Sequence, residues 1–107
     1  MSFVEVTVIG YLAKQPEAKF TPAGTKVLEF SVAHKNRKDE TEWYNCSLWG
    51  DARIDALSWM DKGMGVFVRG EISLTAKDEK IYRNVNVREL QVISGGKKAE
   101  DTAEDYF

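Results

Sequence analysis

Residues 42–74 read EWYNCSLWG DARIDALSWMDKG MGVFVRGEISL, and their apolar period changes twice. Over the first block, Trp43, Asn45, Ser47 and Trp49 fall on one side of an extended chain and Tyr44, Cys46 and Leu48 on the other. From Asp51 the period lengthens. Ile54, Leu57 and Ser58 share a face of a helix expected over Ala52–Met60, with Asp51 placed to cap it and Gly63 to stop it. Val66, Val68, Gly70, Ile72 and Leu74 then restore a period of two. A strand, one short helix and a second strand therefore follow in order.

Working outward, the remaining body is also strand-like. Val4, Val6 and Val8 alternate with Glu5 and Thr7, and Gly10 marks a bulge or sharp coil near the strand's end. Pro16 and the turn Thr21-Pro22-Ala23-Gly24 bracket a short segment around Lys19-Phe20. Lys26–His34 alternates again, with Leu28, Phe30 and Val32 opposite Glu29 and Ser31, and Lys35–Thr41 is a charged loop. Lys77-Asp78-Glu79-Lys80 is a polar hairpin tip leading into a last strand, Ile81–Ile93. Five strands with one short helix between the third and fourth is the all-β layout of an OB-fold, a partly open Greek-key barrel. An SH3-like barrel or a small sandwich shares the strand count. Residues 1–93 form the expected domain. After Ile93 the periodicity ends, so residues 94–107 read as a short linker, Ser94-Gly95-Gly96-Lys97-Lys98, and a flexible acidic tail.

Composition narrows the function. A chain of 107 residues suits one core. One Cys excludes an internal disulfide, and one His beside it leaves no metal cluster, so no cofactor is expected. Met1–Glu5 has no signal-peptide pattern, and no apolar run approaches the roughly 20 residues of a membrane helix. A cytoplasmic, non-membrane protein is expected. Residues 1–93 carry 13 basic and 13 acidic side chains, so the net charge of −2 belongs to the tail. A neutral body still accommodates a basic face, because screening acts over about 8–10 Å. His34, at a strand end beside Lys35, reads as a surface or interface residue rather than a base, Cys46 as a buried small hydrophobe rather than a nucleophile, and no Ser/His/Asp set, carboxylate cluster or phosphate loop stands out, so an enzyme is not expected.

The third strand carries the chemistry. Its Leu48 side suits a core, whereas two indoles with Asn45 and Ser47 between them suit a surface that binds something. The indoles stand roughly 20 Å apart at about 3.3 Å per residue. Each would stack one base, or both would seat against another subunit or a second sheet. Lys35, Arg37 and Lys38 precede this strand, and Lys77, Lys80 and Arg83 cluster at the later hairpin. Basic loops around an aromatic face form a groove that tracks phosphates, although Asp39, Glu40, Asp78 and Glu79 offset them in part. These loops favour nucleic acid.

The stretches Val8-Ile9-Gly10-Tyr11-Leu12, Gln15–Phe20, Pro22-Ala23-Gly24, Thr41–Tyr44, Leu48-Trp49-Gly50, Trp59–Gly63, Val66–Ile72 and Val85–Ile93 resemble, in order, the body of bacterial and phage single-stranded DNA-binding proteins. The resemblance implies an OB-fold that coats and protects single-stranded DNA with little sequence preference during replication, recombination and repair. It also implies a homo-oligomer, usually a tetramer and alternatively a dimer. Trp43 matches the principal stacking tryptophan, and Trp49 stands where the family commonly has phenylalanine. Lys19, Phe20 and Lys62 match positions facing the DNA path, and Tyr44 a position of subunit contact. The expected DNA-binding set is Trp43, Trp49, Lys19, Phe20 and Lys62 together with Asn45, Lys35, Arg37, Lys38, Lys77, Lys80 and Tyr82. Trp59 is expected to pack rather than stack.

The departures are informative. The 35–41 loop lacks the usual aromatic, the hairpin has Tyr82 instead of a tryptophan, and Asp51 replaces a frequent lysine. Weaker or shorter-footprint binding is the expectation. The tip Glu100–Phe107 resembles the family's acidic partner-docking end. Asp101, Glu104 and Asp105 would pair with a basic rim while Tyr106 and Phe107 enter an apolar pocket of a replication, recombination or repair protein. It ends in Tyr-Phe instead of Pro-Phe on a short linker, which suits a phage or plasmid member. A related OB-fold primosome adaptor, acting mainly through protein contacts, is the rival reading.

Overall fold

Segments that alternate apolar and polar residues bury all their apolar faces together only if the sheet curls on itself. In the computed structural model, which describes residues 3–95, it does so. The elements are β1 Glu5–Leu12, β2 Glu17–Phe20, β3 Lys26–Lys35, β4 Thr41–Trp49, α1 Asp51–Leu57, β5 Gly65–Lys77 and β6 Lys80–Ser94. Strands lie in the order β1-β5-β6-β4-β3-β2, and β1 also pairs with β3, so five strands close into a ring. The β4–β6 pairing is parallel. The others are antiparallel. This is the expected OB-type layout with one addition. The segment around Lys19-Phe20 is a true strand, β2, laid along β3 outside the ring with all its residues exposed.

Closure depends on Gly10. Next to it, β1 leaves β5 at Tyr11↔Gly65 and takes up β3 at Tyr11↔Ala33 and Leu12↔Val32. A Cβ on Gly10 would fall on the Ala33 carbonyl oxygen and lie 2.8 Å from Val32 Cγ1. The bare backbone allows the close approach.

Val8, Leu12, Leu28, Phe30, Val32, Cys46, Leu48, Val66, Val68, Val85 and Val87 fill the barrel. One end is plugged by Ile54 of α1 with Met60 and Met64 from the following turn. Gln15 Nε2 donates to the Met60 carbonyl at 2.7 Å, and the Gly63 N–H to that of Leu12 at 2.9 Å, tying the plug to the end of β1 and to the β1–β2 connection.

The helix departs from expectation at both ends. Gly50, at φ 105, is the N-cap, and Asp51 is the first helical residue with no side-chain cap bond. Turning from β4 into α1 within one residue needs a left-handed φ, which glycine adopts freely and aspartate does not. Asp51 instead sits in the first turn, where a carboxylate suits the helix dipole. The helix stops at Leu57 because a tight turn follows, with the Met60 N–H bonded to the Leu57 carbonyl at 3.2 Å. That turn buries Met60, leaves Ser58 exposed and places Trp59 outside at 56% exposure, its Nε1 donating to the Ala56 carbonyl. Trp59, expected to pack, is thus exposed on this chain.

On β5 the alternation outlasts the core. Val66, Val68 and Gly70 are buried, Ile72 is half-buried, and Leu74 is exposed, because β5 and β6 project beyond the ring as an arm. The arm ends in a two-residue turn, Asp78 at φ 52 and Glu79 at φ 65, both left-handed as the twist of a hairpin favours. Among the described residues, no helix is long and apolar enough to cross a membrane.

Cys46 gives a simple check on the core. Burial pushes its thiol from the ordinary 9.0 up to about 12. The folded state therefore holds this proton more tightly than the unfolded chain. Its contribution to stability is present below about pH 9 and is lost as pH rises toward about 12. At pH 8 a thiol reagent is expected to label Cys46 only as fast as the protein opens, with full reaction in denaturant. Fast stoichiometric labelling of the native protein would contradict the packing.

Candidate nucleic-acid interface

The outer face of the sheet follows from register. On β4, Cys46 and Leu48 are buried, so Trp43, Asn45, Ser47 and Trp49 face outward, as the alternation predicts. Parallel pairing with β6 sets Asn84 beside Asn45 and Asn86 beside Ser47. Antiparallel pairing with β3 sets Ser31 beside Asn45, Glu29 beside Ser47 and Val27 beside Trp49. β2 then adds Glu17 beside Glu29 and Lys19 beside Val27. The result is a polar floor of Asn and Ser with Trp43 at one end, 52% exposed, and Trp49 at the other, 38% exposed.

Three shallow hollows run along this face and share residues. One of about 420 Å³ lies between Trp43, Asn45, Lys80 and Tyr82. A second of about 310 Å³ continues over Asn45, Ser31, Ser47, Glu29, Lys19 and Lys14. A third of about 410 Å³ extends from Ser47 and Asn84 to Trp49 and Asn86. Tyr82, 41% exposed, flanks Trp43 across the first hollow, so an aromatic pair stands at that end.

Charges gather at the rim. Lys77 and Lys80 form the last pair of the arm and close the Trp43 end. Lys35 pairs with Thr41 at the base of the β3–β4 hairpin, and its Nζ lies 3.3 Å from Asp39. Arg37 and Lys38 occupy the tip of that hairpin. Asn36 Oδ1 organises it by accepting from the Lys38 and Glu40 N–H groups at 2.9 and 3.0 Å. Lys19 lies on the floor, with Nζ 2.9 Å from Glu29 Oε1 and 3.9 Å from Glu17 Oε2. The hydrogen bond to Glu29 holds its ammonium above the usual lysine range.

Other expected residues stand apart. Phe20, 69% exposed, points to the opposite side of β2 from Lys19 and borders a cleft with Gly24, Lys26 and Asp55. Lys62 lies in the turn after α1, at the plugged end of the barrel. Arg83, grouped with the hairpin lysines on sequence grounds, borders the hollow beside Trp43 but alternates to the other side of β6 from Tyr82. Its guanidinium covers the Tyr44 ring at 5.7 Å and lies 3.7 Å from Glu42. Burial raises the Tyr44 hydroxyl pKa. Arg69 and Arg88, on the outside of β5 and β6, are taken up in ion pairs with Glu5, Glu71 and Glu89. Asp101, Glu104, Asp105, Tyr106 and Phe107 lie outside the described residues.

Sequence reasoning did not place Lys14, Glu17, Glu29, Ser31, Asn84 and Asn86 on this face. Alternation shows Glu29 and Ser31 pointing away from the core, but only strand register shows that they point into the same groove as Trp43.

A match to the model of the "Single-strand binding protein family" spans residues 3–95. The Single-stranded DNA-binding protein of Chlamydia trachomatis is 37% identical over 70 residues, which is 63% of this chain and 45% of that protein. That of Chlamydia muridarum is 29% identical over 106 residues, 92% of this chain and 68% of that protein. The chain thus spans about half to two thirds of the length of these curated relatives. Among solved structures, the mitochondrial single-stranded DNA binding protein Rim1 of S. cerevisiae superimposes with a TM-score of 0.77 at 19% identity, covering 91% of this chain and 100% of that one. Closed five-stranded ring, plugging helix and family match agree: this OB-fold chain belongs to the single-strand binding protein family.

Proposed function

We propose that the chain is a non-catalytic protein that binds and protects single-stranded DNA along the outer face of β2, β3, β4 and β6. The observation that carries this reading is the placement of two exposed indoles, Trp43 and Trp49, at the two ends of one polar groove. Bases stack on Trp43 with Tyr82 and on Trp49, while Asn45 and its neighbours give the strand a wettable floor between them. Lys35, Arg37, Lys38, Lys77 and Lys80 take phosphates at the rim, and Lys19 takes one on the floor. Phe20 and Lys62 extend the path toward the plugged end. The work is sequence-tolerant coating in replication, recombination and repair, in the cytoplasm.

Two further parts of the reading come from the family resemblance. The chain acts as a homo-oligomer, a tetramer or a dimer. Among the described residues, β1 pairs with β3 only at Tyr11 and Leu12, which leaves the Glu5–Ile9 edge open for a second copy. The acidic aromatic tail recruits partner proteins.

A tryptophan-fluorescence titration with oligo(dT) over a range of salt tests the DNA reading. Salt-sensitive quenching is expected. Each phosphate contact on a single strand contributes about 0.7 to the slope of log K against log salt, so charge reversal of Lys35, Arg37 and Lys38 together should flatten it by up to about 2. Absence of quenching at low salt would make the Trp face a protein interface and favour the adaptor.

A further inference from the structure

Stacking and phosphate contacts do not require a carboxylate on the groove floor, yet Glu29 stands there. A negative charge facing a polyanion costs affinity unless it serves the ligand in some other way. Register places Glu29 beside Ser47 of β4, two residues from Trp49, and the hollow over it is continuous with Ser31, Asn45 and Asn84. The ion pair with Lys19 at 2.9 Å orients the side chain, which remains 45% exposed. A carboxylate has about four lone-pair sites, so one ion pair leaves acceptor capacity toward a ligand.

Bases differ in what they offer such an acceptor. Cytosine, adenine and guanine carry exocyclic amines, which donate. Where cytosine has its N4 amine thymine shows the O4 carbonyl oxygen, which a carboxylate repels, and the one donor of its edge is the ring N3–H beside it. Amine-to-carboxylate bonds are charge-assisted and stronger than neutral ones. We propose that Glu29 makes this groove base-selective, favouring a cytosine over a thymine at the position above β3 by accepting from its N4 amine. The inference rests on the reading of the β4 face as the DNA-binding surface. The two pyrimidines have the same ring size, so stacking and backbone contacts largely cancel between them. What differs most at the edge Glu29 would meet is the amine at C4, a donor in cytosine where thymine has an acceptor.

The experiment competes oligo(dC) and oligo(dT) of equal length against a labelled mixed-sequence strand, read by fluorescence anisotropy. Mildly alkaline pH keeps oligo(dC) unstructured. The proteins are the full-length wild type, Glu29→Gln and Trp43→Ala. Glutamine keeps the shape of Glu29 and removes its charge, while its amide both donates and accepts. The wild type should prefer oligo(dC) by about fivefold to tenfold relative to the ratio in Glu29→Gln, on the scale of one net hydrogen bond at a half-exposed site. The variant should gain affinity for oligo(dT) more than for oligo(dC). Equal gains on both strands would show Glu29 to be a charge brake without base selectivity and overturn the proposal. Unchanged binding of both strands by Trp43→Ala would overturn the DNA-binding face itself, a distinct result.

Discussion

Replacing Trp43 and Trp49 together by alanine is expected to lower affinity for single-stranded DNA by about 2–6 kcal/mol. Each base stacked on an aromatic side chain is worth about 1–3 kcal/mol. The two indoles lie at opposite ends of the same outward row of β4, beside Ala33 and Val27 respectively. Sites this far apart with no shared partner add to within a few tenths of a kcal/mol. The loss corresponds to roughly 30-fold to 10⁴-fold in the dissociation constant. Both side chains project outward from a strand whose other face stays packed, so circular dichroism and melting should change little. Anisotropy titration with a labelled oligonucleotide reads the result. Single Trp→Phe variants should lose only part of the affinity, because a phenyl ring still stacks. Wild-type affinity in the double alanine variant would mean that the β4 face does not carry DNA.

Replacing Gly10 by alanine is expected to cost stability on the order of 3 kcal/mol or more. The added methyl group meets backbone, the Ala33 carbonyl oxygen, as well as Val32 Cγ1 at 2.8 Å. A flexible side chain would rotate aside, but a strand's carbonyl cannot move without breaking its ladder. Relief of the clash separates β1 from β3 where the ring closes, near Tyr11↔Ala33 and Leu12↔Val32. Overpacking in a tight interior typically costs 1–3 kcal/mol and occasionally more. A melting point lower by on the order of 10–20 °C should follow. The same substitution at Gly24 is the informative control. Nothing lies within 4 Å of a Cβ there, so only the strain of its φ of 84 is felt. A Gly10→Ala melting point within about 2 °C of wild type would contradict the closure described.

Much of this molecule is legible in its sequence. Period-two alternation in Trp43–Trp49, Lys26–His34 and Val66–Ile72 identified the strands and their buried faces, because a half-buried strand must alternate whatever it pairs with. The reading faltered where geometry is set between elements. Leu74 continues the apolar period of β5 but lies where the arm has left the barrel, and Arg83 looks like one of the hairpin cations but pairs with Tyr44 of β4, its guanidinium over that ring. Trp59 was assigned to a helix that stops at Leu57, since the turn burying Met60 arises from the need to plug the barrel end.

The sequence by itself determined the five long strands, a short helix between the third and fourth of them, and the aromatic row Trp43–Trp49, while β2 emerged only in the fold. These are properties of local period and residue type. Only the tertiary structure decided which outward rows share a groove. Glu29 reaches the Trp face through the antiparallel register of β3 with β4 and Lys19 through that of β2 with β3, while Asn84 and Asn86 reach it through the parallel β4–β6 pairing. Register depends on contacts between residues tens of positions apart in the chain. A one-residue slip would have turned each of those side chains into the core, and the composition of either strand alone carries no record of that choice.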